Sequence, residues 1–464
     1  MTLVLGIDSS TQSTKAVLVD AADGTVVEQR SAPHPQGTEV DPRAWTEALA
    51  QAAGPLLPRA SAVAVAGQQH GMVALDEQGD PVRPALLWND TRSAASARQL
   101  VEEWGGPQAC AELVGSVLVA SFTVTKLRWL REHEPEAARR THRVLLPHDH
   151  LSQHLAAPGT PAFTDRGDAS GTGYFSTVDD EWRPDLAAGA LGRQVTLPRI
   201  AAPGEAAAET SAGQVLGAGT GDNMAAALAL DLGPGDVLLS VGTSGVASER
   251  VSEPVLDGSG LVTGFADATG GFLPLAVTLN AARILDLQAR LLGVDHDELA
   301  ALALTAPPGS HGATLLPYYG GERTPDRPHA VGTWTGLSTT TDRADLARAA
   351  FEALACSLAD TVDALASRSG PAGSPAGRVV LVGGATRSRA LQQVLPAVLG
   401  RDVELPDPGE YVALGAARQA AWALAGTPAP PAWPATGTRT LRAEPTPQVR
   451  EPYARLREQT ADWS

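Results

Sequence analysis

The chain has 464 residues, 43% of them hydrophobic and 19% charged, a globular mix long enough for two or three domains. Thirty-five Lys and Arg against 52 Asp and Glu leave a formal charge of −17, which argues against a general nucleic-acid binder, because phosphate affinity needs a cationic face. Two cysteines far apart, Cys110 and Cys356, exclude a disulfide framework and a four-thiolate zinc site, and no run approaches the ~18 apolar residues of a membrane span. The start MTLVLGIDSS carries no basic leader, so the expectation is a soluble cytoplasmic enzyme acting on small molecules. Only Lys15 and Lys126 of the basic residues are lysines, which, with abundant Ala, Gly and Pro, reads as genome composition bias.

In chain order, Leu3 to Ile7 is a nearly continuous apolar run, as in a buried strand. It ends in the hydroxyl-rich turn Asp8-Ser9-Ser10-Thr11-Gln12-Ser13-Thr14, and Ala16 to Val19 forms a second run. Asp23-Gly24 before Thr25-Val26-Val27 signals a tight hairpin, so the chain opens as an antiparallel meander. Trp45 to Leu57 has helical spacing, and Ala62 to Ala66 reads as a strand ending in Gly67-Gln68-Gln69-His70-Gly71. Pro84 to Trp88 is strand-like and ends in Asn89-Asp90-Thr91-Arg92, and Val124 to Glu134 is helical.

The second half opens with Asp236 to Val241, running into Gly242-Thr243-Ser244-Gly245. A strand feeding a small-residue, hydroxyl-rich turn thus occurs twice, about half a chain apart, which suggests two related domains. Leu346, Ala350, Leu354, Leu358, Val362 and Leu365 predict a helix over Arg343 to Leu365, followed by a loop rich in Gly, Pro and Ser from Ser367 to Gly377. Val379 to Val382 then enters Gly383-Gly384, Thr427 to Pro434 is a Pro-rich connector, and Arg450 to Arg457 ends helical. Mixed meander and alternating strand and helix point to an α/β fold.

Each turn has two readings. The Asp8 loop is no Walker A sequence, yet tight-turn N–H groups with Ser/Thr donors suit phosphate, and Asp8 suits a hydrated Mg²⁺. It also reads as an ordinary polar hairpin. Gly242 to Gly245 and Gly383-Gly384 are equally ambiguous alone, but the three in this order fit two turns clamping a triphosphate and a third approaching an adenosine. Asp222, in Gly217-Ala218-Gly219-Thr220-Gly221-Asp222-Asn223, suits a general base, or else a turn or helix cap. His70 suits a ligand hydroxyl or a structural role, Trp88 a sugar platform or core packing, and Asn89 and Asp90 a polyol or a turn.

On the segments GIDSSTQSTKAVLVD (6–20), AGQQHGMVALD (66–76), RPALLWNDTR (83–92), TDRGDASGTGYF (164–175), GTGDNMAAA (219–227), LLSVGTSGV (238–246), LPYYGGERTPD (316–326) and VVLVGGATRSRAL (379–391), the chain resembles the FGGY carbohydrate kinases of the actin and hexokinase ATPase superfamily. The WND-x-R, TD-x-x-DASGT and GGERTP stretches are similar to its pentulose kinases, whereas the phosphate loops are shared by the superfamily.

The resemblance implies two actin-like ATPase (ribonuclease H-like) α/β domains flanking a deep cleft. Residues 1–232 would carry the sugar site, the first phosphate loop and the catalytic Asp, and 233–464 the second phosphate loop and the adenosine site. It implies ATP-dependent phosphorylation of D-xylulose at its 5-hydroxyl, with Mg²⁺. Asp222 is then the catalytic base, and Gln69, His70, Trp88, Asn89 and Asp90 line the sugar pocket. Asp8, Ser10, Thr11, Ser13, Gly242, Thr243 and Ser244 embrace the phosphates, Asp8 holds the metal, and Gly383 and Gly384 lie by the nucleotide. Kinases for another ketose or polyol are the near alternative, and a non-kinase actin-like ATPase the distant one. Expected partners are the sugar and ATP, without nucleic acid or membrane; a homodimer is left open. Three places depart from the family pattern: Gln69 stands where Met is frequent, His148 where Lys is common, and Pro198 to Gln214 is short and lacks a helix.

Overall fold

The computed structural model describes residues 1–369, 377–434, 437–442 and 444–463, so most of the predicted loop from Ser367 to Gly377 lies outside the described residues. The chain divides into two compact units. One gathers Met1–Asp231, Ser252–Leu273 and Gly409–Ala435, and the other Leu232–Val251, Pro274–Pro408 and Thr436–Ser464.

The first unit is built on a seven-stranded sheet. The apolar run becomes the strand Leu3–Ser9, buried along nearly its whole length. It pairs antiparallel with Ser13–Asp20, which pairs antiparallel with Val26–Pro33, the expected meander. On its other side Leu3–Ser9 pairs parallel with Ala62–Gly67, then come Val215–Gly217 (parallel) and Ala206–Glu209 (antiparallel). The helix expected over Trp45 to Leu57 runs instead over Pro42–Ala52. Asp41 caps it by accepting from the Arg43 N–H, and Pro42 has the φ that a first turn needs, so the start lies upstream of the apolar signal. Of Pro84 to Trp88 only Ala85–Leu86 is extended. Pro198 to Gln214 contains the strands Arg199–Ala201 and Ala206–Glu209 and no helix.

The helix Tyr411–Ala425, far away in sequence, belongs to this unit and packs on Leu3–Ser9, Ala62–Gly67 and the helix Asp222–Ala229. Small residues permit the approach: a Cβ on Gly6 would collide with the Ala413 carbonyl, and one on Gly415 with that of Ala225. The close packing leaves Val4, Val17, Ala62 and Ala64 buried against Ala413, Ala417 and Ala420.

The second unit repeats the pattern. Val237–Val241 pairs antiparallel with Gly245–Glu249, which pairs antiparallel with Leu275–Thr278. On its other side come Val379–Val382 and Val403–Pro406, both parallel, and then antiparallel Thr438–Leu441. The order and sense of pairing of these six strands match those of six strands of the first sheet, whose seventh, Thr220–Gly221, pairs beside Ala62–Gly67. The predicted long helix is Arg343–Ala366, started by a reciprocal capping box between Asp342 and Asp345. The terminal helix is longer than its charged stretch suggested, Pro447–Gln459. Among the described residues no helix is long and apolar enough to cross a membrane.

Candidate active site

The register of the first sheet sets a row of strand ends. Asp8 lies opposite Ala66, and Ala66 opposite Thr220; one residue on, Ser9, Gly67 and Gly221 stand abreast. The three strands are parallel, so all three chains leave the sheet on the same edge, where open α/β folds hold their ligands. From that edge emerge the Asp8 turn, Gln68 to His70, and the helix beginning at Asp222.

The Asp8 turn is closed by the Ser10 N–H donating to the Ser13 carbonyl (3.1 Å), and Ser10 Oγ donates to Asp8 Oδ1 (2.6 Å). Asp8 is 3% exposed. Burial pushes its carboxyl up to about 6, against the pull of the Ser10 hydrogen bond and the Lys15 charge. Lys15 is itself engaged by Glu410 at 2.6 Å. Thr11 Oγ1 accepts from the Trp88 indole (2.9 Å), tying the platform residue to the turn.

Asp222 is the first residue of the helix Asp222–Ala229, with Gly221 at the cap position. The glycine-rich stretch therefore delivers the carboxylate on a helix, not within a loop. Its Oδ1 accepts from the Asn223 N–H (2.8 Å) and Nδ2 (3.0 Å). Burial first, then the charges of Asp8 and Asp168, push it up to about 7, although the helix N-terminus favours the anion. A carboxylate that titrates near neutrality can take a proton from an alcohol and release it again.

Gln69 Oε1 accepts from Asn223 Nδ2 (3.0 Å), which joins the second turn to the Asp222 helix. Buried Nε2 atoms of Gln68 and Gln69 meet no protein acceptor. His70 adopts a left-handed φ of 67°. Its Nδ1 lies 2.6 Å from the Gly171 carbonyl, which can only accept, so Nδ1 carries the proton. The ring packs in a triangle with Phe122 and Phe265, at centroid distances of 5.1 and 5.6 Å, those two being 6.2 Å apart. The His70 carbonyl is gripped by Lys126 Nζ (2.8 Å) and Thr123 Oγ1 (3.1 Å). Trp88 is 43% exposed, which excludes the core-packing reading, and Asn89 is exposed beside it. Asp90 is 4% exposed and committed to Thr38 (2.7 Å) and to the backbone and side chain of Arg92 (3.0 and 2.9 Å).

The remaining predicted residues lie in the second unit. Ser240 pairs with Val382, so Val241 and Gly383 follow abreast, as Ser9 and Gly67 do in the first sheet. The Gly242 N–H closes its turn on the Ser244 carbonyl (3.0 Å), leaving Thr243 exposed at the tip. Gly383 has φ 104°, and a Cβ there would lie 2.5 Å from the Val241 carbonyl, so this position requires glycine. Nothing stands within 4 Å of a Cβ built on Gly384.

Two groups received no site role from the sequence. Lys126 is completely buried, and burial pulls its amine down to about 7 against the Asp90 charge. Its signal was visible: it is one of only two lysines, and it follows the buried stretch Thr123, Val124 and Thr125 at the start of its helix. The other is His148 with Asp149, Asp165 and Asp168, all buried behind Asp222.

Residues 3–229 match the N-terminal domain, and residues 237–424 the C-terminal domain, of the FGGY family of carbohydrate kinases. The xylulose kinase of Streptomyces coelicolor is 46% identical over 439 residues, covering 91% of this chain and 88% of that protein. That of Streptomyces rubiginosus is 45% identical over the same coverage. The crystal structure of xylulose kinase from Bifidobacterium adolescentis superposes with a TM-score of 0.92 at 43% identity, covering 98% of this chain and 99% of that one. The chain belongs to the FGGY family of carbohydrate kinases, with that family's two-domain α/β fold, and it is an ATP-using sugar kinase. The non-kinase ATPase alternative falls with that membership.

Proposed function

Because the chain is an FGGY carbohydrate kinase, we propose that it moves the γ-phosphoryl group of ATP to the 5-hydroxyl of D-xylulose, in the cytoplasm, with Asp222 as general base. The observation that carries this reading is the row of strand ends that brings the Asp8 turn, Gln69 and Asp222 to one edge of one sheet. The near-half identity to two xylulose kinases supports the choice of sugar.

Asp222 accepts the proton of the 5-hydroxyl as the oxygen attacks phosphorus, and its poise near neutrality suits that exchange. Gln69 and His70 orient sugar hydroxyls, Trp88 offers an apolar face for the carbon skeleton, Asn89 supplies a polar edge, and Asp90 holds the Arg92 side of the turn in place. Ser10, Thr11 and Ser13, with Gly242, Thr243 and Ser244, offer neutral donors to the phosphates. Gly383 and Gly384 take the nucleoside, since the open face at Gly384 admits a flat ligand. In this division residues 1–232 carry the sugar, the first phosphate turn and the base, and 233–464 the second phosphate turn and the adenosine.

Mg²⁺ fits the residue assigned to it. Asp8 is a buried carboxylate short of compensating charge, and among the described residues no group of three His, Cys, Asp or Glu stands ready to hold a metal alone. Such a site suits an ion that keeps its water and takes phosphate oxygens, with Asp8 as the protein's share. When bound, the ion supplies charge neutralisation at the transferring phosphoryl group.

A coupled assay of ATP consumption over D-xylulose, D-ribulose, gluconate, glycerol and aldopentoses tests the reading. The highest kcat/KM is expected for D-xylulose. A clear preference for another acceptor overturns the substrate, and full turnover without any sugar overturns the kinase mechanism.

A further inference from the structure

Behind Asp222 lies a fully buried group with more acid than base: one imidazole, His148, and three carboxylates, Asp149, Asp165 and Asp168. His148 Nδ1 is 2.6 Å from Asp168 Oδ2, and Nε2 is 3.2 Å from Asp149 Oδ1 and 4.0 Å from Asp165 Oδ1. The Nε2 contact is ionic and not an in-line hydrogen bond. A neutral imidazole has one N–H, so one carboxylate would face a ring lone pair where no side chain is exposed to water. With the carboxylates ionised, the doubly protonated ring is the form that faces both without a bare lone pair. Burial opposes that charge, but Asp149, the Asp168 hydrogen bond and charge, and Asp165 outweigh it and push the imidazole up to about 9. Burial pushes Asp149 and Asp168 up to about 6, and it raises Asp165 as well.

His148 also fills the space beneath two chains of the site. A Cβ on Gly67 would lie 3.1 Å from His148 Cβ, and one on Gly219 would lie 2.5 Å from His148 Cδ2. Gly67 precedes Gln68 to His70, and Gly219 precedes Asp222. From the ring a chain of bonds reaches Thr220, two residues before the base: the Asp168 N–H donates to Asp165 Oδ1 (2.9 Å), and Thr220 Oγ1 donates to Asp165 Oδ2 (2.7 Å). On the far side Asp149 Oδ2 accepts from the Leu146 N–H (2.8 Å) and anchors the start of the helix Pro147–Leu155.

We propose that His148 is a positioning residue for phosphoryl transfer: its imidazolium balances Asp149, Asp165 and Asp168 behind Asp222 and, through Asp168, Asp165 and Thr220, holds the segment that presents Asp222. The proposal rests on the reading of Asp222 as the base. The charged groups facing the cluster are these three aspartates and, beyond Asp168, Asp222 with Asp8. The phenol of Tyr174 also faces Asp149 and Asp168. Removing the single cation leaves excess negative charge that disfavours ionised Asp222. Removing a carboxylate does the reverse.

Full pH profiles of kcat and of the sugar KM, on the intact enzyme, test this with four variants. His148→Gln is expected to move the acid limb of kcat up by about one pH unit, so that kcat on the acid side falls about tenfold while KM changes less than about threefold. His148→Lys restores a cation and is expected to bring the limb back. Asp149→Asn, which serves equally if His148→Gln does not fold, is expected to move the limb down. Asp222→Asn separates the two readings: if it retains kcat and the acid limb, the assignment of the base fails. If it is inactive while His148→Gln and Asp149→Asn leave the limb unmoved, the role of His148 is overturned. Equal loss in His148→Gln and His148→Lys at an unmoved limb likewise overturns it, because the ring would then matter only for its shape.

Discussion

Six strands of each sheet have the same order and the same pairing senses, yet their equivalent turns carry different chemistry. In the first unit the leading strand ends at buried Asp8-Ser9, and the strand ends beside it lead to Gln69 and Asp222. In the second unit the leading strand ends at Val241 and Gly242, its turn holds only Thr243 and Ser244, and the neighbouring end is Gly383-Gly384. A polyanion is repelled by carboxylates unless a cation stands between, while neutral turns offer donors without that cost. One repeated scaffold thus carries an acidic edge and a neutral edge, which in the proposed function take the proton and metal and the phosphate and nucleoside respectively. The backbone pattern is shared; the position of the acids separates the roles.

The comparison breaks first at Asp222. Asp222→Asn keeps shape and removes the base, so kcat is expected to fall by ~10²–10⁴ while sugar affinity, measured by calorimetry, is retained. Near wild-type kcat would remove the acidic edge from the chemistry. Asp8→Ala is expected to lower kcat/KM for Mg-ATP roughly a hundredfold and to leave sugar binding in the absence of nucleotide unchanged. Ser244→Ala, on the neutral edge, is expected to cost only about threefold to tenfold in the same assay, since one neutral hydrogen bond contributes ~1 kcal/mol. Equal losses in the two variants would erase the distinction between the edges.

Lys126→Met sharpens the sugar side. It removes the Lys126 bond to the His70 carbonyl, and His70 sits in a left-handed conformation that needs outside support. An increase of roughly tenfold in the sugar KM is expected, with kcat within about threefold. The pH dependence follows from Asp222, whose carboxyl is raised to about 7 by burial and by Asp8. The base works ionised, so kcat/KM is expected to rise with pH through about 7 and then level off. The smallest effect is on stability. The folded-state value of His148 lies above its ordinary value of 6.5, at about 9. Its contribution is fully present below 6.5 and is lost as pH rises through about 9. The melting temperature is expected to fall over that interval in the wild type and less in His148→Gln.

Local pattern was enough wherever neighbours in sequence are neighbours in space. The run Leu3 to Ile7, the Asp-Gly hairpin and the i, i+4 ladder from Leu346 to Leu365 each specify a strand, a turn or a helix through contacts within a few residues. The repeated strand-and-turn signature likewise foretold the twin sheets, because a strand entering a polar turn is written in consecutive residues. The resemblance, carried by short motifs, supplied the kinase chemistry and the site residues that composition alone left ambiguous.

Tertiary structure alone decided the rest. That Tyr411–Ala425 joins the first unit depends on Gly6 admitting Ala413 and Gly415 admitting Ala225, fits between residues far apart in sequence. That Trp88 is exposed and bonded to Thr11, and that Asp90 is spent on Thr38 and Arg92, depends on which turns meet. In sequence His148 stands out only as a departure from the family pattern, and Asp165 and Asp168 only as members of a motif; nothing there joins them to Asp149. Their charges acquire unusual values only where folding removes water and places one cation among three anions, and burial is a property of the assembled fold, not of any single segment.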